Sequence, residues 1–223
     1  KMAPALPAER RTIHRLLKQS EATWGHAPAL HQPIGQGRFQ TYNWSDYRRI
    51  SEEVAAGLRT LGISRGDIAA LASETRAEFY LADAGIMVNG SIAAAVYTSL
   101  PHADQVKTLK ACSPKAIFVE NPKTLQALDA SGLKDLDIPR ILFTGESPDA
   151  LSFPRLLEIG REAIAADPDL PARLEAEVQP SDYAILYLTS GATGEPKMGL
   201  VTHNAILANC ECGPPALPVD NDD

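Results

Sequence analysis

"DIAALASETRAEFYLADAGIMVNGSIAAAVY", residues 67–97, decides how this chain folds. It opens on a short apolar run, 67–73, that follows a Gly66-Asp67 turn. A helical stretch, 76–90, comes next, and a second apolar run, 91–97, closes it. Neither run alternates polar with apolar residues, so each reads as a strand buried on both faces. Two such strands joined by a helix make a parallel pair with a right-handed crossover.

The pattern continues outward from there. Residues 102–112 read as a helix, 115–120 as a strand, 122–130 as a helix and 140–145 as a strand. The expected fold is therefore α/β, a parallel sheet with helices on both faces. Upstream, Ile13, Leu16 and Leu17 give residues 10–24 one apolar helical face. In "ALHQPIGQGRFQTYNW" (29–44), Gly35 and Gly37 separate two extended runs, which suggests a hairpin. Ser45 is the expected N-cap of the next helix. Tyr47, Ile50, Val54, Leu58 and Leu61 form that helix's apolar face, and Gly62 closes it. Downstream, Pro154, Pro168, Pro171 and Pro180 punctuate two short helices, read as a surface excursion across 146–182. "DYAILYLTS" (182–190) then resumes the sheet.

Composition narrows the function. With 223 residues, 44% hydrophobic and 22% charged, the chain can bury a sizeable core. Its formal net charge is −7 and it has no basic block, which argues against nucleic-acid binding. No apolar run is long enough to span a bilayer, and the N-terminus has no apolar core of a secretory signal. Cys112, Cys210 and Cys212 form no Cys-x-x-Cys pair, so they read as free thiols in a reducing cytoplasm.

The chemistry concentrates in "LTSGATGEPKMG", residues 188–199. Glycines at 191 and 194 let backbone N–H groups approach an anion without a Cβ in the way. The hydroxyls of Thr189, Ser190 and Thr193 add short donors, and Lys197 adds a mobile positive charge suited to a terminal phosphate. A Walker A loop needs GxxxxGK[ST]. Counted from Gly191, the sixth position is Pro196, and Met198 follows the lysine, so no hydroxyl stands ready to hold magnesium. An extended run, "MGLVTH", follows the loop where a Walker A loop would lead into a helix. Eight small or polar positions are expected between the two strands, more than the two to five of an ordinary hairpin turn, which favours a ligand loop.

The stretch "LTSGATGEPKMGLVTH" resembles the phosphate loop of the adenylate-forming (AMP-binding) superfamily, S-G-T-T-G-x-P-K-G. Together with Tyr187 just before it, Thr189, Ser190, Gly191, Thr193, Gly194, Pro196, Lys197, Thr202 and His203 match the family in order, spacing and flanking strands. Ala192 stands where threonine is usual and Met198 where glycine is usual; the backbone N–H at 192 survives the change. The resemblance covers about residues 24–210. The stretch 39–101, with its Gly62-to-Asp67 turn, looks like the N-terminal subdomain of acyl-CoA ligases. "YTSLPHADQVKTLKACSPKAIFVEN" (97–121) looks most like long-chain fatty acyl-CoA synthetases.

That resemblance implies a ligase that uses ATP and Mg2+ to turn a carboxylic acid, here a long-chain fatty acid, into an acyl-adenylate. Coenzyme A then displaces AMP. Thr189, Ser190, Gly191, Ala192, Thr193, Gly194 and Lys197 would hold the ATP phosphates. The family's adenine contacts, its magnesium-binding glutamate and its catalytic lysine would lie beyond Asp223, so no catalytic or metal-ligating residue is expected here. The expected division is 1–180, an N-terminal α/β subdomain, and 181–223, the start of the next, truncated. Such a piece is expected to make no acyl-adenylate alone and to expose apolar faces that invite self-association. The other reading is a non-catalytic binding or regulatory module that keeps the fold and a weak phosphate site. The charges Glu74, Arg76 and Glu78 read as solvated residues at a helix start.

Overall fold

The computed structural model describes residues 6–190 and 196–216. Its elements run in this order: α1 (Ile13–Trp24), β1 (Pro28–Gly35), β2 (Arg38–Asn43), α2 (Trp44–Thr60), β3 (Ile68–Ala72), α3 (Ala77–Val88), β4 (Ile92–Ala95), α4 (His102–Cys112), β5 (Ala116–Val119), α5 (Pro122–Ala130), β6 (Arg140–Leu142), β7 (Leu151–Ser152), α6 (Phe153–Ala166), α7 (Leu170–Glu177), β8 (Tyr183–Ser190), β9 (Pro196–Thr202) and α8 (His203–Ala216). β1 and β2 form the expected antiparallel hairpin, turning through Gly35, Gln36 and Gly37, all with positive φ.

The other strands form one sheet in the order β7-β6-β5-β3-β4-β8-β9. All its pairings are parallel except β8 with β9. The expected α/β architecture is what forms, and β9 adds an antiparallel edge strand to it.

Alternation along each strand sends neighbouring residues to opposite faces. Ala69, Leu71, Phe118 and Ile141 face a core shared with α1, α2, α3 and α6. Ala70, Ala72, Ile117 and Val119 face a second core built with Val106 and Leu109 of α4 and Leu125 and Leu128 of α5. Covered on both sides, the central strands need no polar residues, which is why they read as continuous apolar runs.

Three local expectations change. The N-cap of α2 is Asn43 and not Ser45. The Asn43 side chain accepts the Asp46 N–H at 2.8 Å, and the Asp46 carboxylate accepts the Asn43 N–H at 3.3 Å. Asn-x-x-Asp can close this reciprocal box, whereas Ser45 has Arg48 three residues on and no acceptor there. The region 146–182 is also more than a surface excursion. α6 is 14 residues long and buries Phe153, Leu156 and Gly160, with Leu156 lying against Gly57 of α2. Finally, Arg76 and Glu78 pair at 2.7 Å and are largely covered rather than solvated.

Candidate phosphate-binding loop

β8 runs parallel to β4, so its end at Ser190 lies at the carboxyl edge of the sheet. In open α/β sheets this is the edge where ligands bind. Ala93 of β4 stands beside Ile185. β4 ends two residues later and β8 runs on, so the hairpin overhangs the edge by about three residues, or ~10 Å.

Across the hairpin, Tyr187 faces Gly199, Leu188 faces Met198, Thr189 faces Lys197 and Ser190 faces Pro196. The ladder therefore closes to a five-residue connection, 191–195. The strands are nearer than the eight positions expected, because Thr189 and Lys197 both belong to the ladder. Of the expected phosphate ligands, Thr189 and Ser190 lie at the end of β8 and Lys197 is the second residue of β9. Gly191, Ala192, Thr193 and Gly194 lie outside the described residues. Lys197 is exposed at the strand edge.

Behind the loop, β9 passes without a connection into α8 at His203. This side chain is fully buried, and its Nδ1 accepts the backbone N–H of Ile13 at 3.2 Å. Burial pushes its pKa down to about 4, against the pull of Asp182 in the other direction. The resemblance matched His203 by position but gave it no role. Only the fold brings it to the start of α1.

At the same carboxyl edge, the Glu74 N–H donates to the Glu120 carboxylate at 3.1 Å, and Thr98 bonds Glu74. Among the described residues no group of three or more His, Cys, Asp or Glu could hold a metal ion. Cys112 is buried and Cys210 exposed, both as free thiols.

A family model described as "AMP-binding enzyme" matches residues 17–223. The chain belongs to the AMP-binding enzyme family. Among curated relatives, it is 28% identical over 170 residues to 4-coumarate–CoA ligase 1 of Petroselinum crispum, covering 76% of this chain and 29% of that one. It is 24% identical over 216 residues to the long-chain-fatty-acid–CoA ligase ACSBG1 of Macaca fascicularis, covering 94% of this chain and 29% of that one. This AMP-binding chain thus spans less than a third of the length of these relatives. Among solved structures, the anthranilate CoA ligase AuaEII in complex with anthranoyl-AMP shares the fold. Its TM-score is 0.74 at 20% identity, over 89% of this chain and 36% of that one. Among the described residues no helix is long and apolar enough to cross a membrane.

Proposed function

We propose that this chain is the N-terminal part of an ATP-dependent acid–CoA ligase, and that residues 189–197 hold the β- and γ-phosphates of ATP while a carboxylate attacks the α-phosphate. The observation that carries this reading is the hairpin at the carboxyl edge of the sheet. A loop of family sequence is carried there, with Thr189 and Lys197 facing each other at its base. Backbone N–H groups of a glycine-rich loop supply preorganised donors, and a lysine at its foot supplies charge. This is positioning and electrostatic stabilisation; these residues form no covalent bond with the substrate. Coenzyme A would then take the acyl group, in the cytoplasm.

For the acid itself we favour a long-chain fatty acyl substrate, on the stretch 97–121 and on the fatty-acid ligase relative, which aligns over 94% of the chain. A hydroxycinnamic acid is the second reading, favoured by the 28% identity to a 4-coumarate ligase. Pyrophosphate release by the whole protein with palmitate or with 4-coumarate decides between them. The phosphate role is tested on the chain itself by isothermal titration with ATP. Lys197→Ala is expected to weaken binding about tenfold or more, the effect of losing one charge-assisted hydrogen bond. Equal heats and affinities in the two proteins would remove the assigned role.

A further inference from the structure

The β8–β9 hairpin is held to the sheet lightly. Among the described residues, β8 meets β4 through a single register pair, Ala93 with Ile185, and β9 is an edge strand paired with β8 alone. An overhanging hairpin of this kind needs a second anchor if its tip is to keep one position. The structure offers one at the far end of β9.

There the strand becomes α8 with no intervening loop. The His203 N–H donates to the Asp182 carbonyl at 3.0 Å, and the Asn204 N–H to the Pro180 carbonyl at 2.9 Å. These bonds tie the start of α8 to the segment that enters β8. The imidazole reaches α1, where Nδ1 accepts the N–H of Ile13, the first residue of that helix. The first N–H groups of a helix have no acceptor within it. Thr12 accepts the Arg15 N–H, so the imidazole takes a donor that this cap leaves open. Arg11, just ahead of α1, adds two bonds to α8, one to Asn204 at 3.5 Å and one to Glu211 at 2.5 Å. An accepting Nδ1 requires the neutral ring with its proton on Nε2.

We propose that His203 is a positioning residue for the phosphate loop. By accepting the Ile13 N–H it fixes the root of β9 against α1, and the strand carries that constraint to Lys197 at its other end. The proposal rests on the phosphate-loop reading of residues 189–197. A strand is stiff along its length, and only five residues separate Lys197 from His203. A shift at the root therefore reaches the tip with little loss.

The test uses four variants of the full chain. Asn places its Oδ1 as many bonds from Cα as the histidine Nδ1, so His203→Asn can keep the bond. Gln reaches one bond further, and Leu offers no acceptor. Ile13→Pro deletes the donor from the other side, at a helix position that tolerates proline. Amide hydrogen exchange over 198–202 and ATP affinity by calorimetry are read together, at a temperature where melting curves show each variant folded. His203→Leu, His203→Gln and Ile13→Pro are expected to speed exchange in β9 about tenfold and to weaken ATP binding about tenfold, while His203→Asn stays near the parent in both. If the melting temperature falls but β9 exchange and ATP affinity do not change, His203 only packs, and the positioning role is overturned. If His203→Asn behaves like His203→Leu, the Ile13 bond is not the means. If the unmodified chain gives no ATP heat, the phosphate-loop reading fails and takes the positioning role with it. Binding that is equal across all variants overturns the positioning role alone.

Discussion

Asp83 and His203 titrate outside their ordinary ranges in opposite directions, and both shifts come from burial. In His203 the folded pKa falls to about 4. The unfolded chain takes up that proton near 6.5, so His203's contribution to stability is complete above about pH 6.5 and is lost as the pH falls toward 4. Asp83, on α3, is pushed up to about 7. Its unfolded form ionises near 3.9, so its contribution is complete below about pH 4 and is lost as the pH rises through 7. Burial, and then the Asp83 charge, hold the Tyr47 phenol above its usual range as well. Asp83→Asn is therefore expected to stabilise the chain by about 1–3 kcal/mol at pH 8 and by little at pH 4, measured by urea unfolding at each pH. The same gain at both pH values would show that ionisation is not the cause. Neither shift was legible in the sequence, because burial of a single side chain depends on elements far away in the chain. The Asn43–Asp46 cap was legible, since its spacing alone distinguishes it from Ser45.

At the scale of elements, α2 shows where periodicity stops. Its apolar positions predicted one buried face. The structure buries the helix all round from Ile50 to Leu58, Ser51, Glu52 and Glu53 included. Buried glutamates need partners. Glu52 receives a bond from the His14 ring at 2.8 Å and pairs with Arg48, while Glu53 pairs with Arg49 and with Arg161 of α6. His14 and Arg161 lie 38 and 108 residues away, beyond the reach of any local pattern. The close crossing of α2 and α6 rests on glycines spaced to match. A Cβ on Gly57 would meet the Leu156 carbonyl oxygen at 2.7 Å, and one on Gly160 would run into the Glu53 carbonyl. Gly160→Ala is expected to cost about 3 kcal/mol or more, since the Glu53 carbonyl that its Cβ would meet is backbone and cannot yield. On β9, a Cβ at Gly199 meets nothing within 4 Å. Gly199→Ala should leave the melting temperature within about 2 °C of the parent and serves as the control.

At the scale of the whole molecule, the β9 side of the sheet carries exposed apolar side chains. Tyr187, Met198 and Leu200 are each about half exposed on the last two strands, and β9 is a seven-residue edge. Such edges invite pairing with another chain unless charge or proline blunts them, and Pro196 and Lys197 do so only at the start of β9, leaving Met198–Thr202 without either. The parent chain is expected to associate in a concentration-dependent way in light scattering, and Leu200→Lys to shift it toward monomer. An unchanged mass for the variant would place the contact elsewhere. The chain alone is also expected to release no pyrophosphate in response to a carboxylate. Release that requires both ATP and acid would contradict that.

The sequence by itself determined the order of elements, the two-faced parallel sheet and the family loop, because those signals are local. Apolar runs, helical spacing and a nine-residue motif each lie within one short window. The tertiary structure alone decided that α6 belongs to the core and that β9 closes into a hairpin beside β8. It alone brought His203 to the first turn of α1 as well. Each of these depends on contacts between residues about a hundred or more positions apart, or on strand pairing that no single segment encodes. The family pattern of the loop was therefore readable from the sequence, and the bond between His203 and Ile13 behind it was not.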